Sequence, residues 1–312
     1  MTSVLELPAA VTARAPAKVN LELFVGPLRE DGYHALSTVY QAVGIYDDIT
    51  ATLADEWGCS VSGRDADKVP TDESNLVLVA ARALAERTGG QDPVHLSIHK
   101  EIPVAGGMAG GSADAAAALL ACDALWGTNL PKDELAGIAA EIGSDVPFLL
   151  HGGTAVGSGR GELVTAVLAK GTYHWVFVPS ASSGLSTPLV YAAFDQRTAA
   201  TDIDEPQPSA ALMSALRSGD AAALGPVLDN DLQADAIALQ PSIGELIDAA
   251  MGFGALAAMV SGSGPTVAIL AESAEGAIDL AVALTASGTA GDILRATGPV
   301  HRAHILPTVR TT

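Results

Sequence analysis

Aromatic side chains make up only 4% of this 312-residue chain, so its interior has to be built from Ala, Val, Leu and Ile. Cysteine is scarcer still: Cys59 and Cys122 form no metal-ligand spacing and no disulfide framework. Cys122 falls in an alanine-rich run and reads as a small core residue. Positive charge is also in short supply, with 16 basic against 36 acidic residues and a net charge of −20. Such a surface repels nucleic acid and anionic membranes, which are gripped through Lys and Arg. Neither is expected as a partner. A small anionic ligand held locally by backbone amides and one or two lysines remains compatible. No apolar run approaches the roughly 18 residues that a membrane-spanning helix needs. The mean hydropathy of +0.32 reflects alanine. The first residues show no basic segment followed by an apolar one, so a soluble cytoplasmic protein is the expectation. His95 and His99 are four apart on a strand-like pattern, and His301 and His304 have no Cys or Glu at ligand spacing. No zinc site is expected, and metal ligands stay unassigned.

Hydrophobic residues account for 49% of the chain, enough for a sizeable core in one large or two ordinary domains. "VNLELFV" (19–25) and "VHLSIHK" (94–100) alternate in the manner of half-buried strands. "NLVLVAARALAERTGG" predicts a helix from Asn75 stopped by Gly89 and Gly90, and residues 113–126 a second one ended by Gly127. "LPKDELAGIAAEIG" adds a third, with Pro131 in its first turn and Gly143 past its end. A break falls near 169–172, before the strand "HWVFVPS". Beyond it, "ALAAMVSGSGPTVAILAES" reads as strand, glycine turn, strand, followed by a helix. Two α+β domains, 1–170 and 171–312, are the expected organisation.

Four stretches carry chemistry. Between Pro103 and Ala113, four glycines and three alanines precede a helix without interruption. Small residues there admit close helix–sheet packing, but glycines gathered at a helix start also expose amides, backed by the helix dipole, to an anion. No lysine follows, so this is no Walker loop; Pro103 and the alternating strand before it do not suit a dinucleotide fingerprint either. In "APAKVNLELFVGPLREDGYH", Lys18 and Asn20 lie two apart on one strand face, although a lysine at a strand start is usually solvated. "DGYH" (31–34) is a turn followed by an aromatic. In "GSDVPFLLHGG", Ser144 or Asp145 is placed to cap the next helix. "SGSGPTV" (261–267) is either a plain hairpin turn or a second amide-lined loop facing the first.

Together these four stretches resemble the GHMP kinase superfamily. Within it they are most similar to the kinases that act on the 2-hydroxyl of 4-diphosphocytidyl-2-C-methyl-D-erythritol, in the non-mevalonate route to isoprenoid precursors. The order and spacing of the motifs agree over nearly the whole chain. The resemblance implies a two-domain α+β GHMP kinase fold, with an N-terminal domain like ribosomal S5 domain 2 and a C-terminal ferredoxin-like domain. It implies ATP as phosphoryl donor with Mg²⁺, a small cytidine-diphosphate-linked alcohol as substrate, and a monomer or weak homodimer. Carried over by position, Lys18 and Asp145 are the catalytic pair. Pro103, Val104, Ala105, Gly106, Gly107, Met108, Ala109, Gly110, Gly111, Ser112 and Ala113 wrap the triphosphate, with Asn75 and Lys100 beside the adenine. Asn20 contacts the substrate, and Tyr33, His34 and Tyr191 form the cytosine site. Ala105 and Ala109 stand where some relatives have glycine, which is admissible at negative φ. Asp114 stands where others have Asn, and either reaches Mg²⁺ or favours the helix N-terminus. Two other readings use the same motifs: a superfamily relative acting on a smaller alcohol such as homoserine or mevalonate, and a nucleotide-binding regulator without catalysis. The first has no use for Tyr33, His34 and Tyr191; the second has none for Lys18 with Asp145.

Overall fold

The computed structural model describes residues 8–104, 106–179 and 185–307; Ala105 lies outside them. The alternating segment around Val19 belongs to a much longer strand, β1 (Ala10–Leu28), which doubles back through the "DGYH" turn onto β2 (His34–Leu53). In this antiparallel pair Lys18 lies opposite Ala42 and Asn20 opposite Tyr40, with a bulge between Asn20 and Glu22. β4 (Val94–Lys100) pairs antiparallel with β2, and β3 (Gly58–Gly63) adds parallel to β4. β5 (Thr154–Ser158) joins β2 and carries β6 (Leu163–Ala166).

Four helices accompany this sheet. α1 (Leu76–Arg87) starts where Asn75 accepts a hydrogen bond from Val77 N. α2 (Gly110–Trp126) is buried on nearly all sides, against β1, β2 and α1. Alanine at positions 115–118 lets it lie close to its neighbours, since each small side chain keeps the helix axis near the sheet. It begins three residues before the expected start, at Gly110. Cys122 sits inside it, with burial pushing its thiol up to about 12, so the core reading of that cysteine holds. α3 (Lys132–Ile142) has Asp133 and Glu134 in its first turn, where they complement the helix dipole. α4 (Val146–His151) follows directly.

The second sheet centres on β7 (Tyr173–Val178) and β10 (Val267–Ala271), flanked by β11 (Leu294–Gly298) and β9 (Ala257–Val260). α5 (Thr187–Thr198), α6 (Ala210–Ser218), α7 (Ala221–Leu224), α8 (Gln233–Leu239), α9 (Ser242–Gly252) and α10 (Ala274–Ala286) belong to this half. Two short strands return to the first sheet on the edge of β1 away from β2: β8 (Asp229–Asn230) runs parallel to it at Glu22–Leu23, and β12 (His304–Ile305) antiparallel at Ala13–Arg14. The cores are joined as well. Tyr173, Trp175 and Phe177 of β7 pack into the core of the first sheet, and Trp175 Nε1 donates to Gln41 Oε1 at 3.0 Å. Among the described residues no helix is long and apolar enough to cross a membrane.

Candidate active site

Lys18 is in the interior of β1 and only 4% exposed, so the picture of a solvated strand-end lysine is corrected by the long β1–β2 pairing that encloses it. Its ammonium donates to Asn20 Oδ1 at 2.6 Å. Asn20 in turn donates to Thr38 Oγ1 at 2.7 Å, and Thr38 donates to the Glu22 carbonyl at 2.7 Å. This chain of bonds orients the Asn20 oxygen and, with it, a buried cation that would otherwise be costly. Asp145 Oδ2 stands 3.7 Å from the ammonium. Asp145 precedes α4 but makes no side-chain bond to the helix, so the capping reading fails. Pro147 in the first turn removes one of the donors that a cap would serve, which leaves the carboxylate facing Lys18.

Tyr40 completes this centre, and the sequence reading missed it. Its ring is buried, lies 5.9 Å from the Lys18 ammonium and stacks on Phe148 at 4.8 Å. Its phenol is held well above the usual range, by burial first and then by the neighbouring Asp145 carboxylate. A single tyrosine in a strand reads as core. Only the register that sets it opposite Asn20 reveals its place.

Gly106, Gly107, Ala109, Gly110, Gly111 and Ser112 line the same cavity, of about 720 Å³; Pro103, Val104, Met108 and Ala113 do not. Met108 and Ala113 are fully buried behind the loop, and the Met108 carbonyl accepts from Lys18 N at 3.2 Å, tying the loop to β1. The first amides of α2 have no acceptor within the helix, the arrangement that suits an anion. Ala109 has φ +62, in the left-handed region, so the expectation of a negative φ there is corrected. The loop needs this reversal to turn into α2.

The second glycine turn faces the first. Ser261 Oγ donates to the Gly107 carbonyl at 3.0 Å, and a Cβ at Gly107 would overlap the Ser261 carbonyl. Asn230 Nδ2 donates to the Val260 and Gly262 carbonyls at 2.9 and 2.8 Å, holding Gly262 close to Lys18 and Asn20. The turn is therefore a wall of the cavity as well as a hairpin.

The side chains of Asn75 and Lys100 do not come to the cavity. Asn75 caps α1 and donates to the Pro70 carbonyl at 2.6 Å. Lys100 is 1% exposed and donates to Asp47 and Asp114, at 2.6 Å each, directly beneath Gly110. Burial acts to lower the Lys100 amine, yet the two carboxylates outweigh it and raise it. Asp47 also accepts from Glu101 N and Ile102 N, whereas Asp114 Oδ1 is buried without a partner. Burial pushes the Asp114 carboxyl up to about 8, against the pull of Lys100 and with the repulsion of Asp47. Asp114 thus serves Lys100, and neither of the two roles foreseen for it applies. Among the described residues no three His, Cys, Asp or Glu side chains gather as a metal site.

At the far end of the cavity, Tyr33 is 54% exposed in the β1–β2 turn. His34 is buried; its Nδ1 bonds the Gly26 carbonyl at 2.8 Å, so that nitrogen carries the hydrogen. Its Nε2 lies 3.1 Å from Asp195 Oδ1. Tyr191 of α5 stacks on the His34 ring, centroids 5.6 Å apart, so the two halves of the chain meet here. The two glycine loops, the acid–lysine pair and the aromatic end all lie along one cleft.

Residues 75–153 match the GHMP kinases N terminal domain and residues 212–290 the GHMP kinases C terminal domain. A 4-diphosphocytidyl-2-C-methyl-D-erythritol kinase from Streptomyces avermitilis is 53% identical over 297 residues, covering 95% of this chain and 100% of that protein. The chain belongs to the 4-diphosphocytidyl-2-C-methyl-D-erythritol kinase family of the GHMP kinases. Another relative of that name, from Kineococcus radiotolerans, is 56% identical over 88% of this chain and 86% of its own length. A crystal structure of 4-(cytidine 5'-diphospho)-2C-methyl-D-erythritol kinase superposes with a TM-score of 0.75 at 31% identity, covering 93% of this chain and 100% of that one. A homoserine kinase from Cytophaga hutchinsonii shares the GHMP fold, with a TM-score of 0.71 at 19% identity over 98% of this chain and 100% of its own. The α+β, two-domain GHMP kinase fold expected from the sequence is the fold observed.

Proposed function

We propose that the chain transfers the γ-phosphoryl group of ATP to the 2-hydroxyl of 4-diphosphocytidyl-2-C-methyl-D-erythritol. The observation that carries this reading is one continuous cavity, with amides of α2 at one end, Lys18 and Asp145 between, and Tyr33, His34 and Tyr191 at the other. Phosphoryl transfer asks for positioning and charge neutralisation more than covalent chemistry. An oxygen about 2.8 Å from each of two partners is compatible with those partners lying 3.7 Å apart, as Lys18 and Asp145 do. Asp145 would accept the hydroxyl proton, and Lys18 would neutralise charge on the attacking oxygen and the transferring group. Asn20 holds Lys18 in place. Gly106, Gly107, Ala109, Gly110, Gly111 and Ser112 would cradle the triphosphate; Ala105 lies outside the described residues.

Mg²⁺ binds largely through the substrate's own phosphates and keeps few protein ligands, so the lining Ser112 hydroxyl at the start of α2 fits a metal carried in on ATP. The ion would supply charge neutralisation along the phosphates. Asp114 is excluded from that set by its burial on Lys100. The ring of Tyr191 and the edge of His34 would recognise cytosine, with Tyr33 closing the slot. We place the first domain at 1–170 and the second at 171–312, the latter returning β8 and β12 to the first sheet.

A coupled assay with ATP, Mg²⁺ and the cytidyl alcohol, with the product ester located by phosphorus NMR, tests the reading. Phosphorylation at the 2-hydroxyl and poor use of a uridyl analogue are the expected results. Equal use of both bases, or turnover of homoserine or mevalonate instead, overturns it.

A further inference from the structure

The loop between β5 and β6 brings a cation into the cavity that the roles above leave unused. Arg160 sits between Gly159 and Gly161, both at positive φ. The loop is pinned on both sides: Leu36 N donates to the Gly159 carbonyl at 2.8 Å, and Gly161 N donates to the Ser158 carbonyl at 3.0 Å. Glu162 is folded under it, its carboxylate accepting from Arg160 N. The Arg160 guanidinium lies 4.9 Å from the centre of the Tyr33 ring. A Cβ on the adjoining Gly161 would overlap the Tyr40 hydroxyl and stand 3.8 Å from Ser144 Cβ, beside Asp145. Arg160 therefore occupies the cavity wall between the cytosine end and the catalytic pair.

Its lack of partners separates it from the other nitrogen groups of the cleft. Lys18 donates to Asn20 and faces Asp145; His34 has Gly26 and Asp195 at its two ring nitrogens. Arg160 has only Glu162, with Nε 3.9 Å from Oε1, beyond hydrogen-bond range, and among the described residues its guanidinium makes no hydrogen bond. Its cation lies over the Tyr33 ring, and its unbonded N–H groups are left for a ligand. A guanidinium fork matches phosphate oxygens bidentately, and in a chain of net charge −20 a bound diphosphate needs such a local partner.

We infer that Arg160 is a substrate-binding residue that holds the diphosphate of the cytidyl substrate while its cation–ring contact with Tyr33 orders the base-recognising turn. The inference rests on the function proposed above and assigns the part of the substrate that Tyr33, His34, Tyr191, Lys18 and Asp145 leave uncontacted. It is tested by calorimetric titration of the full chain, its ATP site filled with a non-hydrolysable analogue, using cytidine, CDP and UDP. Wild type, Arg160→Met and Arg160→Lys are compared, with thermal melts confirming that each is folded. Taking the ratio of CDP to cytidine affinity cancels any effect of losing the Tyr33 contact. In wild type CDP binds more tightly than cytidine, and Arg160→Met lowers that ratio about 10- to 100-fold, the usual worth of charge-assisted hydrogen bonds. Arg160→Lys recovers part of it, and the KM for ATP is unchanged in both. A ratio that stays the same in folded Arg160→Met, or a wild type that binds CDP no better than cytidine, overturns the inference. Equal affinity for CDP and UDP, with the loss on Arg160→Met intact, refutes the cytidyl reading and keeps the diphosphate role.

Discussion

A lysine inside a strand survives only if its ammonium is hydrogen-bonded, and Lys18 meets that condition through Asn20 with Asp145 close by. Replacing Asp145 by Asn keeps shape and polarity but removes the proton acceptor. Turnover is expected to fall about 10²–10⁴-fold, with ATP affinity by calorimetry changed by no more than a few-fold; turnover near wild type would return Asp145 to a merely structural role. For Lys18→Met the fall in kcat should exceed the loss of ATP affinity, because its charge matters most in the transition state. Asp114 allows a prediction on stability. Its carboxyl is raised to about 8 in the fold, against 3.8 for the ordinary group. Between those values the folded chain holds a proton that the unfolded chain has released. Stability therefore declines as pH rises through that window. Asp114→Asn cannot titrate, so its urea midpoint should drop less than that of wild type between pH values near the two ends of the window. Equal slopes for the two proteins would show that Asp114 is not the group responsible.

At the scale of elements, the two glycine loops depend on each other. Gly111 opens on the cavity, where an added Cβ would meet only Leu76 Cδ1 at 3.4 Å, so Gly111→Val should weaken ATP binding while the melting temperature stays close to wild type. Gly107 differs. At φ +73 and against the Ser261 carbonyl, it cannot accept even alanine without parting the loops, and Gly107→Ala should lower both stability and ATP affinity. Ala109 is the converse case. A left-handed alanine carries about 1–2 kcal/mol of strain, and glycine would relieve it at a smaller entropic cost. Ala109→Gly should leave the melting temperature unchanged or higher; a clear drop would mean that the methyl group contributes packing that outweighs the strain. Of these elements, α1, α3 and β4 were legible in the sequence to within a residue or two, because caps and alternation mark them locally. The start of α2 was not, since a glycine-rich turn has weak helix propensity and it is the packing of the loop on β1 and the Ser261 turn that sets the first helical residue.

For the molecule as a whole, β1 is the organising strand, with β2 on one side and both β8 and β12 from the second half on it as well. Trp175 and its neighbours on β7 complete the first core, and Leu23 and Val25 of β1 belong to the second. A fragment of residues 1–170 would expose that face and leave β1 without two partners. It is expected to show no cooperative melt by circular dichroism, while the full chain unfolds in a single transition. A fragment melting as sharply as the full chain would show that the two halves fold independently.

Periodicity, caps and glycine clusters act over a few residues, and on these the sequence by itself determined the run of strands and helices, the two glycine loops and the membership of the GHMP kinases. Burial, register and the choice among competing partners depend on residues far apart in the chain. Those were decided by tertiary structure alone. Asp145 looks like a cap until β1 places Lys18 beside it, and Tyr40 looks like core until it is paired across from Asn20. Lys100 and Asn75 look available to a ligand until Asp47, Asp114 and the first turn of α1 claim them. Arg160 stands between two glycines, but only the fold brings the distant Tyr33 ring to its guanidinium. Local sequence states which groups a residue offers, and only the folded chain decides which partner reaches them first.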